Sequence, residues 1–224
     1  LLNKASDVDG KKLGSILLSL FIVVIFSRSV AAEIHPGKQK AEDERCAECH
    51  GVDGNLHAPN ESAKIPKLAG QNTQYLLKQF QDFRSGERHN DFMALMARNL
   101  EDEEVVDILA WYGSQAIMAP SEGAATVGNS LGEKLYRAGD LSRGIVACAG
   151  CHGIAGRGVA QSPSSHPTLL PELIPVIGGQ DWYYLDQQLR DWRSGERSNS
   201  AGAIMNTVTE KLTDAEITAL SDYI

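Results

Sequence analysis

The sequence lacks an excess of positive charge: 21 Lys and Arg stand against 29 Asp and Glu, a formal net charge of -8. Nucleic-acid binding, which neutralises phosphates with a cationic surface, is thereby disfavoured. No apolar run reaches the roughly 20 residues that cross a bilayer. No convincing alternation of apolar and polar residues marks a β-strand, so the class reads as all-α. Cysteine is scarce, four in 224 residues. In an exported chain four cysteines would ordinarily suggest two disulfides, but their spacing here argues otherwise.

Export is expected from the start of the chain. Lys11 and Lys12 precede an apolar run of 14 residues from Leu13 to Phe26, followed by the small residues Ser29-Val30-Ala31-Ala32. This pattern reads as a secretory signal over residues 1–32, with an uncleaved membrane anchor as the weaker alternative. Removing those residues moves the formal charge from -8 to -10, which mildly favours partners with basic patches. The first residue is Leu1 rather than Met and Ile224 falls inside an amphipathic pattern, so truncation is expected at both ends.

What the sequence does hold is an internal repeat. Cys46-Ala47-Glu48-Cys49-His50-Gly51 is answered by Cys148-Ala149-Gly150-Cys151-His152-Gly153 at an offset of 102 residues. Ile65-Pro66-Lys67-Leu68-Ala69-Gly70-Gln71 answers Ile174-Pro175-Val176-Ile177-Gly178-Gly179-Gln180, and Arg84-Ser85-Gly86-Glu87-Arg88 answers Arg193-Ser194-Gly195-Glu196-Arg197, both at 109. Met93 and Leu100 pair with Met205 and Leu212 at 112, so the second half carries insertions that read as loops. Met118 to Asn129, rich in small residues, is the expected linker, with the boundary near Pro120. This divides the chain into 33–120 and 121–224. Halves of that size have marginal cores, which a large apolar cofactor would supplement.

Three helical segments can be read in each half. Asn72 or Thr73 caps a helix carrying Tyr75, Leu76, Gln79, Phe80 and Phe83 and stopping at Gly86; its counterpart runs from Trp182 to Gly195. Thr213 to Glu216 makes a capping box for a later helix, whereas Glu101 in the first half implies a weaker cap or one supplied by Asp102. The segments Lys38 to Arg45 and Ser130 to Ala138 consist mostly of helix formers.

Cys-x-x-Cys-His sets two thiols one helical turn apart to bond the vinyl groups of haem, with an imidazole beside them to bind the iron. Two copies within a repeat make this a strong signal. A zinc site needs four ligands, and neither half has a fourth Cys or His at zinc-finger spacing. A redox dithiol belongs in a strand-helix alternation that is lacking here. The cofactors expected are therefore two covalent haem c groups, at Cys46, Cys49 and His50 and at Cys148, Cys151 and His152.

The sixth iron ligand decides function, since a filled site transfers electrons and an open one activates small molecules. Met205 is the one methionine of the second half, in a loop before the capped helix, and the repeat maps it onto Met93. Met96 and Met118 read as core residues. His35, His57, His89 and His166 do not repeat between halves and read as solvated, although His89 lies close to Met93. Pro66 and Pro175 can aim their carbonyls at the Nδ1 hydrogens of His50 and His152, or simply form rigid turns. Arg84, Arg88, Arg193 and Arg197 either pair with haem propionates or are exposed helix-end residues.

On the duplicated Cys-x-x-Cys-His-Gly, the Pro-x-x-x-Gly-Gln segments, the Gln-rich helices and the paired methionines, the chain over residues 40–224 resembles dihaem cytochrome c4. The resemblance implies two tandem class I cytochrome c domains, each wrapped around a covalent haem ligated by His and Met: His50 with Met93, and His152 with Met205. It further implies an electron carrier rather than an enzyme, periplasmic and often membrane-associated, between the cytochrome bc1 complex and a haem-copper terminal oxidase. Two other readings compete. One is a dihaem enzyme such as a peroxidase or thiosulfate dehydrogenase; the other is the cytochrome subunit of a dehydrogenase such as flavocytochrome sulfide dehydrogenase.

Overall fold

The computed structural model describes residues 35–56, 64–117, 130–158 and 171–224. The signal segment, the linker with Met118, and His57 and His166 lie outside the described residues. Ten α-helices and no β-strand occur among the described residues. The first half holds α1 (Pro36–Asp43), α2 (Cys46–His50), α3 (Thr73–Ser85), α4 (Asp91–Asn99) and α5 (Asp102–Ser114). The second half repeats the order with α6 (Leu131–Ala138), α7 (Ala149–His152), α8 (Trp182–Ser194), α9 (Ile204–Thr209) and α10 (Asp214–Tyr223). Two of the five in each half were not expected from sequence. One is the short turn around the Cys-x-x-Cys-His motif; the other is the helix carrying the methionine, so Met93 and Met205 sit in α4 and α9 rather than in loops.

Local chemistry accounts for the helix ends. The Asn72 side chain accepts from Gln74 N–H at the start of α3, and Asp181 accepts from Tyr184 N–H at the start of α8. Both helices stop at a left-handed glycine, Gly86 (φ 88°) and Gly195 (φ 85°), a conformation glycine adopts without strain. At α10 the Thr213 hydroxyl accepts from Glu216 N–H while Glu216 Oε2 accepts from Thr213 N–H at 2.9 Å. The corresponding cap on α5 is Glu101, whose N–H donates to Glu104 Oε2 at 3.2 Å. Asp102 instead pairs with Arg84.

Within each half the first helix crosses the last, α1 on α5 and α6 on α10. A glycine stands at each crossing. A Cβ on Gly37 would lie 1.9 Å from the Asp107 carbonyl oxygen, and one on Gly132 would lie 2.0 Å from that of Ala219. Only a residue without a side chain lets these backbones approach so closely. The apolar faces then close two cores. Phe80, Phe83, Val105, Ile108 and Tyr112 belong to the first, and Leu135, Tyr136, Ile217 and Leu220 to the second.

Candidate functional site

Each Cys-x-x-Cys-His motif forms a single helical turn whose end is pinned by a buried tyrosine. Tyr112 in α5 donates to the Gly51 carbonyl at 3.2 Å, and Tyr136 in α6 donates to the Gly153 carbonyl at 2.7 Å. These tyrosines occupy non-equivalent positions in the repeat, which is why comparison of the two halves did not find them. The four cysteines are free of disulfides. Burial pushes the Cys46 and Cys148 thiols up to about 11, so neither is a ready thiolate at neutral pH. Among the described residues no cluster of three or more His, Cys, Asp or Glu is placed to hold a metal ion.

The motif histidines are buried with fixed rings. His50 Nδ1 lies 2.9 Å from the Pro66 carbonyl oxygen, and His152 Nδ1 lies 3.0 Å from that of Pro175. A carbonyl can only accept, so both rings carry their proton on Nδ1 and present the Nε2 lone pair outward. Burial lowers both imidazole pKa values against a smaller upward push from the proline carbonyl, leaving the rings neutral near pH 7.

One cavity of about 410 Å³ reaches His50 and Met93 in the first half and His152 and Met205 in the second. Its walls are largely apolar, including Phe80, Phe83, Leu185 and Trp192. Two thiols at one-turn spacing, a neutral imidazole and an apolar cavity together fit a haem in each half. Met96 is half-buried and does not line the cavity; His89 lines it and is exposed. His35 caps α1 by accepting from Gly37 N–H at 3.1 Å and packs on Trp111.

The four repeated arginines divide into two pairs. Arg84 and Arg193 clasp helix ends. Arg84 donates to the Ala97 and Leu100 carbonyls and to Asp102, and Arg193 donates to the Leu212 carbonyl and Asp214. Arg88 and Arg197 are buried, 9% and 6% exposed, which rules out the exposed helix-end reading for them. Each reaches into the other half. Arg88 donates to Tyr184 and Gln188, and Arg197 donates to Tyr75 and Gln79, with distances of 2.7–3.1 Å. Each guanidinium also stacks on an aromatic ring of its own half, Arg88 on Phe83 at 4.6 Å and Arg197 on Trp192 at 4.2 Å. Every member of this network has its partner at an offset of 109, so the halves meet through a pseudo-two-fold axis.

The same axis relates two glutamines that sequence reasoning noted without a role. Gln71 accepts from Val176 N–H and donates to the Val176 carbonyl, both at 2.8 Å. Gln180 accepts from Lys67 N–H at 2.7 Å and donates to the Lys67 carbonyl at 2.9 Å. The available signal was their repetition at an offset of 109 at the end of the matched segments.

Comparison with known proteins agrees with this architecture. The cytochrome c family model matches residues 34–115 and 130–224. Cytochrome c4 of Pseudomonas aeruginosa is 37% identical over 96% of this chain and 97% of its own length. A protein of Stutzerimonas stutzeri named thiosulfate dehydrogenase electron acceptor is 35% identical over 80% of this chain and 76% of its own length. The crystal structure of reduced recombinant cytochrome c4 from Pseudomonas stutzeri superposes with a TM-score of 0.68 and 37% identity, covering 84% of this chain and 95% of that one. With the motif, the cavity and the tandem fold in place, the chain belongs to the dihaem cytochrome c4 family, electron carriers built from two cytochrome c domains with a covalent haem c in each.

Proposed function

We propose that this chain carries electrons in the periplasm with both irons fully ligated, His50 with Met93 in the first half and His152 with Met205 in the second. Cys46 and Cys49, and Cys148 and Cys151, form the thioether bonds to the two haems. The observation that carries the reading is that each buried motif histidine and its repeat-matched methionine line the same cavity. The haem groups supply one-electron ferric-ferrous chemistry when bound. The protein keeps each imidazole neutral by burial, orients it through the Pro66 or Pro175 carbonyl, lines the cavity with an apolar wall, and supplies a thioether rather than an open position. Arg88 and Arg197, buried guanidinium groups with no ion pair among the described residues, suit the haem propionates.

The physiological context follows the family: electrons arrive from the cytochrome bc1 complex and leave to a haem-copper terminal oxidase, with the protein diffusing or loosely attached to the membrane. Transient docking to redox partners is expected. A second reading, electron acceptor for a periplasmic dehydrogenase, is favoured by the likeness to the thiosulfate dehydrogenase electron acceptor. In either context the protein accepts and passes electrons.

Optical spectra with a pyridine haemochrome count test the ligation. Two c haems with the weak far-red band of a Met–Fe(III) bond at both, and no rapid carbon monoxide binding when reduced, are the expected result. A high-spin haem, or turnover of peroxide or thiosulfate by the protein alone, sinks it. Reduction assayed separately with bc1 complex and with a thiosulfate dehydrogenase separates the two contexts.

A further inference from the structure

The peptide that orients each haem-binding histidine is itself held by the opposite half. His50 Nδ1–H donates to the Pro66 carbonyl at 2.9 Å. The N–H of that same peptide group belongs to Lys67, and it donates to Gln180 Oε1 at 2.7 Å. In the second half His152 Nδ1–H donates to the Pro175 carbonyl at 3.0 Å, and the N–H of that peptide, from Val176, donates to Gln71 Oε1 at 2.8 Å. One planar peptide thus links each imidazole to a glutamine 113 or 105 residues away from Lys67 or Val176 in sequence.

A peptide whose N–H is engaged by a good acceptor carries more negative charge on its oxygen, because amide resonance couples the two ends. The stronger acceptor draws the Nδ1 proton harder and makes the imidazole more electron-donating at Nε2. That stabilises ferric over ferrous iron and lowers the reduction potential. Both glutamines are held for this task. Each also donates through Nε2 to the carbonyl of the same residue, fixing the amide orientation, and each Oε1 accepts from the following backbone N–H, Asn72 or Asp181.

We propose that Gln71 and Gln180 are positioning residues that tune the haems crosswise: Gln180 lowers the potential of the first-half haem and Gln71 that of the second. The inference rests on the axial roles of His50 and His152 proposed above. It also makes each potential a property of the docked pair, since separating the halves breaks both bonds.

The test is an NMR-resolved redox titration of the holoprotein, which follows each haem by its own resonances, for Gln180→Leu and Gln71→Leu. At the original midpoint, Gln180→Leu is expected to raise the reduced-to-oxidised ratio of the haem at Cys46 and Cys49 about twofold, leaving the other unchanged, as loss of about 10–30% of one hydrogen bond's strength implies. Gln71→Leu gives the mirror image. The His50 Nδ1–H resonance of the reduced Gln180→Leu protein moves upfield with it. Should Gln180→Leu not assemble, Gln180→Glu retains an acceptor for Lys67 N–H and leaves the His50 Nδ1–H resonance unmoved or moved downfield. A shift in the haem of the substituted residue's own half, equal shifts in both haems, or no shift overturns the proposal. Failure of the ligation reading would appear earlier, as a wild-type spectrum without two Met-ligated haems.

Discussion

Met93 and Met96 lie one turn apart in α4, yet Met93 borders the cavity and Met96 does not. The repeat distinguished them before any fold was known, because Met205 has a counterpart at Met93 alone. Met205→Ala is therefore expected to open one iron: half of the far-red band is lost, and the reduced protein binds carbon monoxide at one haem. Met96→Ala leaves both spectra unchanged, and optical titration with carbon monoxide separates the two variants. At the other end of each motif, Tyr136→Phe removes the donor to the Gly153 carbonyl without changing shape. A loss of about 1 kcal/mol in denaturant unfolding is expected, the worth of one hydrogen bond, since the Gly153 carbonyl still accepts from Gly156 N–H. Tyr136 was not legible as a motif anchor, since its role depends on how α6 folds back over α7.

At the scale of elements, caps were the most readable features and close helix crossings the least. The Thr213 capping box and the Gly86 and Gly195 stops follow from local rules that need only a few neighbouring residues. Thr213→Ala is expected to cost about 1 kcal/mol in thermal unfolding. Glu216 in the same box also pairs with Arg143, and the hydrogen bond from Arg143 holds its carboxyl below the ordinary value of 4.5 despite burial. A depressed carboxylate contributes stability that is complete above that ordinary value and is lost as pH falls through the lowered one. Glu216→Gln should thus lower stability at pH 7 and flatten its decline below about pH 4.5, measured as the unfolding midpoint against pH. Gly132 carried no sequence signal beyond being a glycine in a helix; the approach of α10 gives it meaning. Gly132→Ala forces a Cβ against the Ala219 carbonyl oxygen and is expected to cost about 2–3 kcal/mol by the same unfolding measurement.

At the scale of the whole molecule, the halves are joined by buried polar bonds rather than by an apolar seam. Arg88 and Arg197 each donate to Gln and Tyr of the opposite half, and Gln79 and Gln188 each accept from both arginines, so the network is continuous across the two halves. The wild-type holoprotein is expected to unfold in one calorimetric transition. Arg88→Leu, which removes the donors from the first half to Tyr184 and Gln188, should split it into two as the halves lose their coupling. A single transition in that variant would place the coupling elsewhere.

The sequence by itself determined the duplication, the two haem-attachment motifs, the all-α class and most of the caps, and it singled out Met93 and Met205 as the candidate ligands. These are properties of spacing and local chemistry, and a one-dimensional pattern records them. Only the tertiary structure decided what the repeated polar residues do. Gln71, Gln180, Arg88 and Arg197 repeat at a constant offset. Each bonds to the half it does not belong to, across more than 90 residues of chain. No local rule links residues so far apart; the link arises when two copies of one fold meet about a two-fold axis, where each copy's polar groups satisfy the other's.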